Sequence, residues 1–166
     1  MERQKEKIKK NIRGNMKNIK WTIKKYKELS LNELYEILQI RLEVFVIEQT
    51  CFYQDIDGSD DKSSHLFGID TETNKIVAYS RIVNPGITYK EPSIGRVITV
   101  KSHRKLGLGR VMMIKAIEYS ENEYKGQGIR ISGQKYLEAF YNNLGFKTVS
   151  DVYLEDGIEH VEMLKS

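Results

Sequence analysis

The chain has 166 residues, of which 30% are charged and 40% hydrophobic, and its formal net charge is +4. This length is sufficient for one domain with a single core. The charge is uneven, because residues 1–20 hold eight Lys or Arg and two Glu, which leaves 19 basic and 21 acidic residues in the remainder. The sequence therefore predicts a basic leader over 1–20 and a near-neutral domain over 21–166.

The leader has few apolar residues and no apolar run of seven or more, which excludes a signal peptide or a membrane span within it. Basic arms can contact nucleic acid or acidic membrane, but a disordered or partly helical leader is the simpler expectation. We therefore expect neither nucleic acid nor membrane as a partner. The single cysteine, Cys51, permits no internal disulfide and favours the cytoplasm. It has no zinc-type spacing, so we expect no metal.

The first predicted elements are an edge strand and an amphipathic helix. Alternating residues predict the strand over 21–26. Ser30 and Glu33 form a capping box, and apolar residues at helical spacing follow, so a helix is expected from 31 to 46. An acidic loop then extends to residue 63.

The remaining pattern predicts an α/β domain. We expect strands over 65–70, 76–83, 94–100 and 129–134, helices over 109–122 and 135–144, and two closing strands around the Asp156-Gly157 turn. This order predicts a mixed sheet with helices on both faces.

A loop rich in glycine and basic residues precedes the second predicted helix. It reads Arg104-Lys105-Leu106-Gly107-Leu108-Gly109, and such a loop lets backbone N–H groups and the positive helix end converge on a phosphate. A P-loop is excluded because Arg110 follows the second glycine, and a Rossmann fingerprint because Met112 stands where a third Gly or Ala is needed. An ordinary strand-to-helix turn is the alternative.

A second motif, Phe140-Tyr141-Asn142-Asn143-Leu144-Gly145-Phe146, follows on the last predicted helix. Gly145 is a natural C-terminal cap. Taken alone, Tyr141 would be read as a core aromatic residue.

The two motifs together, Arg-x-x-Gly-x-Gly and Phe-Tyr-x-x-x-Gly-Phe, resemble those of the GNAT acetyltransferases. A third set resembles the ElaA-like branch of that family: Arg41-x-x-Val44-Phe45-Val46-x-Glu48-Gln49-x-Cys51-x-Tyr53, Asp57-Gly58-x-Asp60, His65-Leu66, Ile94-Gly95-Arg96-Val97 and Glu155-Asp156-Gly157-Ile158-x-His160. The resemblance extends from about Trp21 to Met163. It implies the GNAT fold, with a central mixed sheet whose strands splay, and acetyl-CoA as co-substrate.

The resemblance also implies roles for individual residues. It assigns the pyrophosphate of acetyl-CoA to Arg104, Lys105, Leu106, Gly107, Leu108, Gly109 and Arg110. It gives the backbone of Ile98 and Val100 to pantetheine, and it makes Tyr141 the acid that protonates the departing thiolate. Gln134 stands where many members have Asn, and its amide is expected to bind pantetheine or the acceptor.

The base is left open by the resemblance, because Arg96 occupies the position of a Glu that several members use. The candidates are Glu48, Asp57, His65 and His160, with an ordered water as an equal alternative. We rank Glu48 first because it directly follows the first helix, a region that lines the acceptor pocket in this fold.

Charged residues suggest two further acceptor contacts. Four acidic residues could form a rim that attracts a cationic amine, with a solvated, turn-rich loop as the alternative: Asp55, Asp57, Asp60 and Asp61. Arg41, Arg81 and Arg96 could hold a substrate carboxylate, but internal pairing with these aspartates is the interpretation that we favour.

The expected activity is direct acetyl transfer to a primary amine of a small molecule or a protein, in a ternary complex, by a monomer or homodimer. Two alternatives remain. Acyl-homoserine lactone synthases share the fold and an Arg, Phe and acidic-loop start similar to Arg41, Phe45, Asp57 and Asp60. The other alternative is a non-catalytic CoA-binding module.

Overall fold

A computed structural model describes residues 18–166; the predictions for residues 1–17 lie outside this range. The strands are β1 (Ile19–Lys25), β2 (Ser63–Asp70), β3 (Lys75–Val83), β4 (Ser93–Thr99), β5 (Ile129–Gln134), β6 (Lys147–Thr148), β7 (Tyr153–Glu155) and β8 (Ile158–Lys165). The α-helices are α1 (Leu31–Arg41), α2 (Leu108–Glu123) and α3 (Glu138–Asn142). Within this range, no helix is long and apolar enough to cross a membrane.

The strands form one mixed sheet in the order β1-β2-β3-β4-β5-β8-β6, with β7 also paired to β8. The only parallel neighbours in this part of the chain are β4 and β5, and a single residue pair, Ser93 with Arg130, is in register between them. The two strands therefore separate beyond that pair. This is the predicted splay.

Helices cover both faces of the sheet, as predicted. The cluster on the α1 face is Ile37, Val44, Phe67, Ile76, Tyr79 and Ile98. The cluster beneath α2 and α3 includes Ile94, Met112, Met113, Ile131, Tyr141, Phe146 and Met163.

The first helix follows the prediction at its start and departs from it at its end. The Ser30 hydroxyl accepts from the Glu33 N–H at 3.2 Å, and the Glu33 carboxylate accepts from the Ser30 N–H at 2.8 Å, so the capping box is present. From Leu42 to Glu48 the chain becomes π-helical. Such wide turns are rare and concentrate at functional sites, and here the turn carries Glu48 to the edge of the splay.

The last helix is shorter than predicted. The stretch begins as a 3₁₀ turn, Lys135–Leu137, and only Glu138–Asn142 is α-helical. Gly145 adopts φ 93°, a left-handed value that glycine tolerates at a helix end. The two-residue strand β6 follows, which is too short for a sequence pattern to predict.

Candidate active site

The central strand β4 contains an irregularity at the splay. The β3–β4 register shifts between Tyr79 and Arg81, which pair with Ile98 and Gly95. Arg96 has φ 53°, which is uncommon for a residue with a side chain. Two β4 residues thus oppose one on β3, the arrangement of a β-bulge.

The register decides which backbone groups of β4 can reach a ligand. The Val100 N–H donates to the Val77 carbonyl at 3.0 Å, so this pair is hydrogen-bonded. Hydrogen-bonded and non-hydrogen-bonded pairs alternate along antiparallel strands, and Ile98, opposite Tyr79, therefore also directs its backbone groups at β3. The prediction that Ile98 and Val100 pair with pantetheine is wrong for this reason.

The residues of β4 that point the other way are one position earlier. By the same alternation, Thr99, and Val97 at the bulge, direct their backbone groups toward the splay. The Thr99 carbonyl accepts a hydrogen bond from Nε of Arg104 at 2.9 Å. Sequence reasoning missed Val97 and Thr99 because it counted positions back from Arg104. Which backbone groups face the splay depends on the pairing with β3, which the sequence does not show.

The glycine-rich loop ends at the exposed start of α2. Gly107, with φ 80°, is the residue before the helix, and no side chain caps the turn. The first helical bond is from the Val111 N–H to the Gly107 carbonyl at 3.3 Å. The N–H groups of the first turn therefore have no acceptor within the helix, and the positive end of the helix dipole adds to them.

The space in front of this helix start is open. A Cβ built at Gly107 would meet no atom within 4 Å, and one at Gly109 would meet Thr99 Oγ1 at 3.7 Å. Backbone N–H groups, a helix start and room for a ligand are the features of an anion site. Across 18–166 no group of His, Cys, Asp or Glu is arranged to hold a metal.

Arg104 connects the loop to the end of the π-helical turn. Its Nη2 donates to Glu48 Oε2 at 2.6 Å, in addition to its contact with Thr99. Beside this pair is a cavity of about 480 Å³, lined by Ile40, Glu43, Val44, Glu48, Val100, Lys101 and Ser102. The structure therefore places Glu48 in contact with the first residue of the glycine-rich loop.

Tyr141 lies on α3, packed under β5. Its residue exposure is 6%, and a Cβ on Gly133 of β5 would lie 2.9 Å from its ring, so this approach requires glycine. Phe140 and Phe146 contact the ring edge-on at 5.2 and 6.2 Å between centroids. Burial raises the pKa of Tyr141 to about 12, which keeps its hydroxyl protonated at any working pH.

The residues after the π-helical turn bridge the end of the sheet. Gln49 Oε1 accepts from Nε2 of Gln134, at the end of β5, at 3.5 Å. The Cys51 thiol donates to the Asp156 carbonyl, in the β7–β8 turn, at 3.6 Å. These contacts bring the Glu48 region, β5 and the β7–β8 hairpin together. Gln49 is a contact that sequence reasoning did not identify.

His160 lies opposite Gln134 on β8. Its Nδ1 is 2.8 Å from the Ile158 carbonyl, which can only accept, so Nδ1 carries a proton. In the neutral ring Nε2 is then the unprotonated nitrogen, as a base requires. Tyr153 stacks on the ring at 6.1 Å between centroids.

His65 has no such free nitrogen. It is fully buried, with Nδ1 2.9 Å from the Tyr79 hydroxyl and Nε2 3.0 Å from the Asp60 carbonyl. The carbonyl fixes Nε2 as the donor, so Nδ1 accepts from Tyr79. Burial lowers the pKa of His65. It is a structural hydrogen-bonder and is removed from the candidates for the base.

The acidic loop is tied to the domain by buried ion pairs. Arg41 is 0% exposed and donates to Asp55 at 2.8 Å and to Asp60 at 2.5 Å. Arg81 holds both Asp57 carboxylate oxygens, at 2.8 and 2.6 Å, and also reaches Asp60 at 3.1 Å. The hydrogen bonds from Arg81 and Arg41 lower the pKa of Asp57 and Asp60 against the opposing effect of burial.

Arg96 adds a third guanidinium to this network. It donates to Asp55 Oδ1 at 2.7 Å and lies 3.4 Å from Asp57. Its charge also lies over the rings of Phe45 and Tyr53, at 5.9 and 5.6 Å, which is favourable cation–π geometry. The β4 bulge is thereby joined to the loop.

These pairs correct several predictions. Arg41 is inaccessible and cannot contact a substrate. Asp57 and Arg96 are engaged with each other and with their partners, so they are not free for an acceptor carboxylate or amine. Of the predicted acidic rim, Asp55 and Asp60 are buried at 8% and 7% exposure and Asp57 is paired with Arg81, whereas Asp61 is exposed. The interpretation favoured from the sequence, internal pairing of arginines and aspartates, is the one that the structure supports.

The mixed sheet that splays between β4 and β5, with helices on both faces, is the fold of the GNAT acyltransferase family, and comparison with known proteins agrees. The sequence-family model described as the acetyltransferase (GNAT) domain matches residues 25–166, so the chain belongs to this family. A UPF0039 protein of Synechocystis is 42% identical over 146 residues, covering 88% of this chain and 94% of that protein.

ElaA proteins are close homologues within the family. Protein ElaA of Escherichia coli is 36% identical over 147 residues, covering 89% of this chain and 96% of its own, and its crystal structure matches with a TM-score of 0.84. An acyl-CoA N-acyltransferase from Pseudomonas aeruginosa has a TM-score of 0.85 and 37% identity, covering 89% of this chain and 99% of that chain.

Proposed function

We propose that the protein is an acetyl-CoA-dependent N-acetyltransferase that moves an acetyl group directly to a primary amine in a ternary complex. The observation that carries the proposal is the uncapped start of α2, preceded by the Gly107 turn and placed beside the splay between β4 and β5. Family membership supports acyl transfer from a CoA thioester. Cytoplasmic action and an amine acceptor, small or on a protein, are parts of the same proposal.

Backbone groups and one side chain of the protein bind the different parts of acetyl-CoA in this proposal. Backbone N–H groups from Lys105 to Arg110 bind the diphosphate, and Arg104 adds a cation to them. The Thr99 carbonyl accepts from a pantetheine amide, as an edge strand does. Acetyl-CoA supplies the thioester carbonyl that the amine attacks.

Protons move at two positions in this proposal. Tyr141 donates its hydroxyl proton to the departing thiolate, and its raised pKa keeps that proton available. The amine proton leaves to Glu48 or to Nε2 of His160, directly or through water. Each of these bases lies near a bridging residue, Gln49 or Gln134, at the end of the sheet.

Acyl-homoserine lactone synthesis receives less support. Its sequence basis was the Arg, Phe and acidic-loop pattern, and Arg41, Phe45, Asp57 and Asp60 all belong to or contact the internal charged network. The internal ion pairs and the cation–π contact therefore account for these four residues without a role in lactone synthesis.

The test combines binding with turnover. Calorimetry measures the affinity for acetyl-CoA, and CoA release is then followed with a panel of amines, amino acids, polyamines and peptides. We expect acetyl-CoA to bind and at least one amine class to stimulate CoA release with matching acetylated product. Binding without transfer to any amine would favour the non-catalytic CoA-binding module, and no binding would contradict the proposal entirely.

A further inference from the structure

The contacts of Arg104 are with two groups that a bound acetyl-CoA would also use or face. Its Nε donates to the Thr99 carbonyl at 2.9 Å, and its Nη2 donates to Glu48 Oε2 at 2.6 Å. The guanidinium thus joins the splay-facing edge of β4 to the end of the π-helical turn. No other carboxylate of residues 18–166 lies within ion-pair distance of Arg104.

A carboxylate and a phosphate compete for the same donors. A carboxylate is planar and a phosphate is tetrahedral, but each presents two oxygens that can accept the parallel N–H groups of arginine. The loop that begins at Arg104 ends at the exposed N–H groups of α2, so a diphosphate on those groups lies within reach of this side chain. Two anions beside one guanidinium also repel each other.

We propose that Glu48 is an internal substitute for the diphosphate of acetyl-CoA: it holds Arg104 until the cofactor's phosphate takes its place. This role rests on the proposed function and makes Glu48 a positioning residue for the cofactor. Its carboxylate, one wall of the 480 Å³ cavity, is then released on cofactor binding. In this proposal the cavity is the amine site, which is complete only after acetyl-CoA has bound.

The cavity composition supports this order. Its apolar lining residues are Ile40, Val44 and Val100, and its charged ones are Glu43, Glu48 and Lys101. While Arg104 neutralises Glu48, the cavity gains little from a cationic amine. Once the phosphate holds Arg104, a second carboxylate is available to an ammonium group.

A double-mutant cycle on acetyl-CoA affinity tests whether the diphosphate replaces Glu48 as the partner of Arg104. Glu48→Gln removes the competing charge, so the dissociation constant should fall about two- to fivefold, the range that exposed ion pairs span. Arg104→Gln should raise it. The double variant should bind like Arg104→Gln alone, because the gain from Glu48→Gln acts through Arg104.

Glu43→Gln is the matched control. Glu43 lines the same cavity, and no ion pair joins it to another described residue, so its substitution should leave the affinity unchanged. Repeating the titrations at high salt should shrink the effect of Glu48→Gln, as expected for a charge effect.

The outcomes separate this inference from the function on which it rests. Unchanged or weaker acetyl-CoA binding by Glu48→Gln, or a gain that persists without Arg104, would overturn the exchange while leaving the N-acetyltransferase proposal intact. Failure of the wild-type protein to bind acetyl-CoA would instead remove the proposed function itself.

Discussion

Tyr141 combines a packing role with a proposed chemical one. Its ring fills the space that Gly133 leaves open on β5, and the same burial raises its pKa to about 12. The sequence motif identified the residue. The close approach to Gly133 could not be read from the sequence, because it depends on how α3 packs on β5.

Replacement of Tyr141 by Phe separates these roles. The ring and its contacts remain, but the proton is lost, so turnover should fall by roughly 10² while acetyl-CoA affinity is retained. Steady-state kinetics and calorimetry measure the two quantities. Tyr136→Phe is the control, since Tyr136 is on the same stretch and 76% exposed. Wild-type turnover in Tyr141→Phe would return Tyr141 to a purely structural role.

The two candidate bases can be distinguished by pH. If Glu48 removes the amine proton, Glu48→Gln should lower turnover most at low pH, where the amine is largely protonated, and the loss should shrink as pH rises. His160→Gln should then have little effect. The reverse result in turnover–pH profiles would assign the base to His160, and an equal loss at every pH would indicate acceptor binding or packing.

At the scale of elements, the start of α2 is the feature that the sequence predicted best. Two glycines between a strand and a helix are a local signal, so the loop and its helix were placed within one residue of their observed bounds. The backbone contacts of β4 were predicted one position off. Strand parity depends on the β3 partner and on the bulge at Arg96, which are long-range features.

Side chains added at the loop glycines should block the cofactor. Gly109→Val would place a branched side chain in front of the helix start, and Gly107→Val would also strain a residue with φ 80°. We expect both variants to lose most of their acetyl-CoA affinity in calorimetry. Gly126→Val is the control for strain, because Gly126 has φ 76° and equally open surroundings. Unchanged affinity in both loop variants would refute the proposal that this loop binds the pyrophosphate of acetyl-CoA.

At the scale of the whole molecule, the network of three arginines and three aspartates fixes the acidic loop against β3 and β4. The sequence showed the charges but not their burial. Four acidic residues in a loop suggest a solvated rim, and only the fold brings Arg41, Arg81 and Arg96 from separate elements to the same loop. The resemblance identified the family because its motifs are local, whereas these pairs are separated by 14 to 41 residues.

Removing one member of the network should be costly. Arg41→Met deletes a fully buried guanidinium and leaves Asp55 and Asp60 with one arginine partner each, Arg96 and Arg81. The free energy of unfolding should fall by about 3–5 kcal/mol, as for other broken buried pairs. Urea unfolding measures this. Lys24→Met, which removes a partly exposed pair with Glu33, should cost less than about 1 kcal/mol. Equal costs would contradict a structural role for the network.

The same network predicts how stability depends on pH. Burial lowers the pKa of His65, whereas an unfolded histidine binds its proton near about pH 6.5. The unfolded state therefore binds more protons as pH falls below that value, and stability decreases. Asp57 and Asp60 act in the same direction at lower pH. Their folded pKa values are lowered, so the stability they contribute is present above about pH 3.9 and is lost below it.

Urea unfolding from pH 7.5 to pH 2.5 should thus show two successive losses of stability, the first of up to about 1.4 kcal/mol per pH unit for the single histidine. His65→Gln should be less stable than wild type at pH 7.5, because its buried hydrogen bonds are disturbed, but the difference should narrow toward pH 5 as the wild type loses the His65 contribution. His160→Gln, a substitution at a partly exposed strand position, should still show the loss of stability at the higher pH. A constant difference between wild type and His65→Gln across this range would show that His65 binds its proton equally in both states.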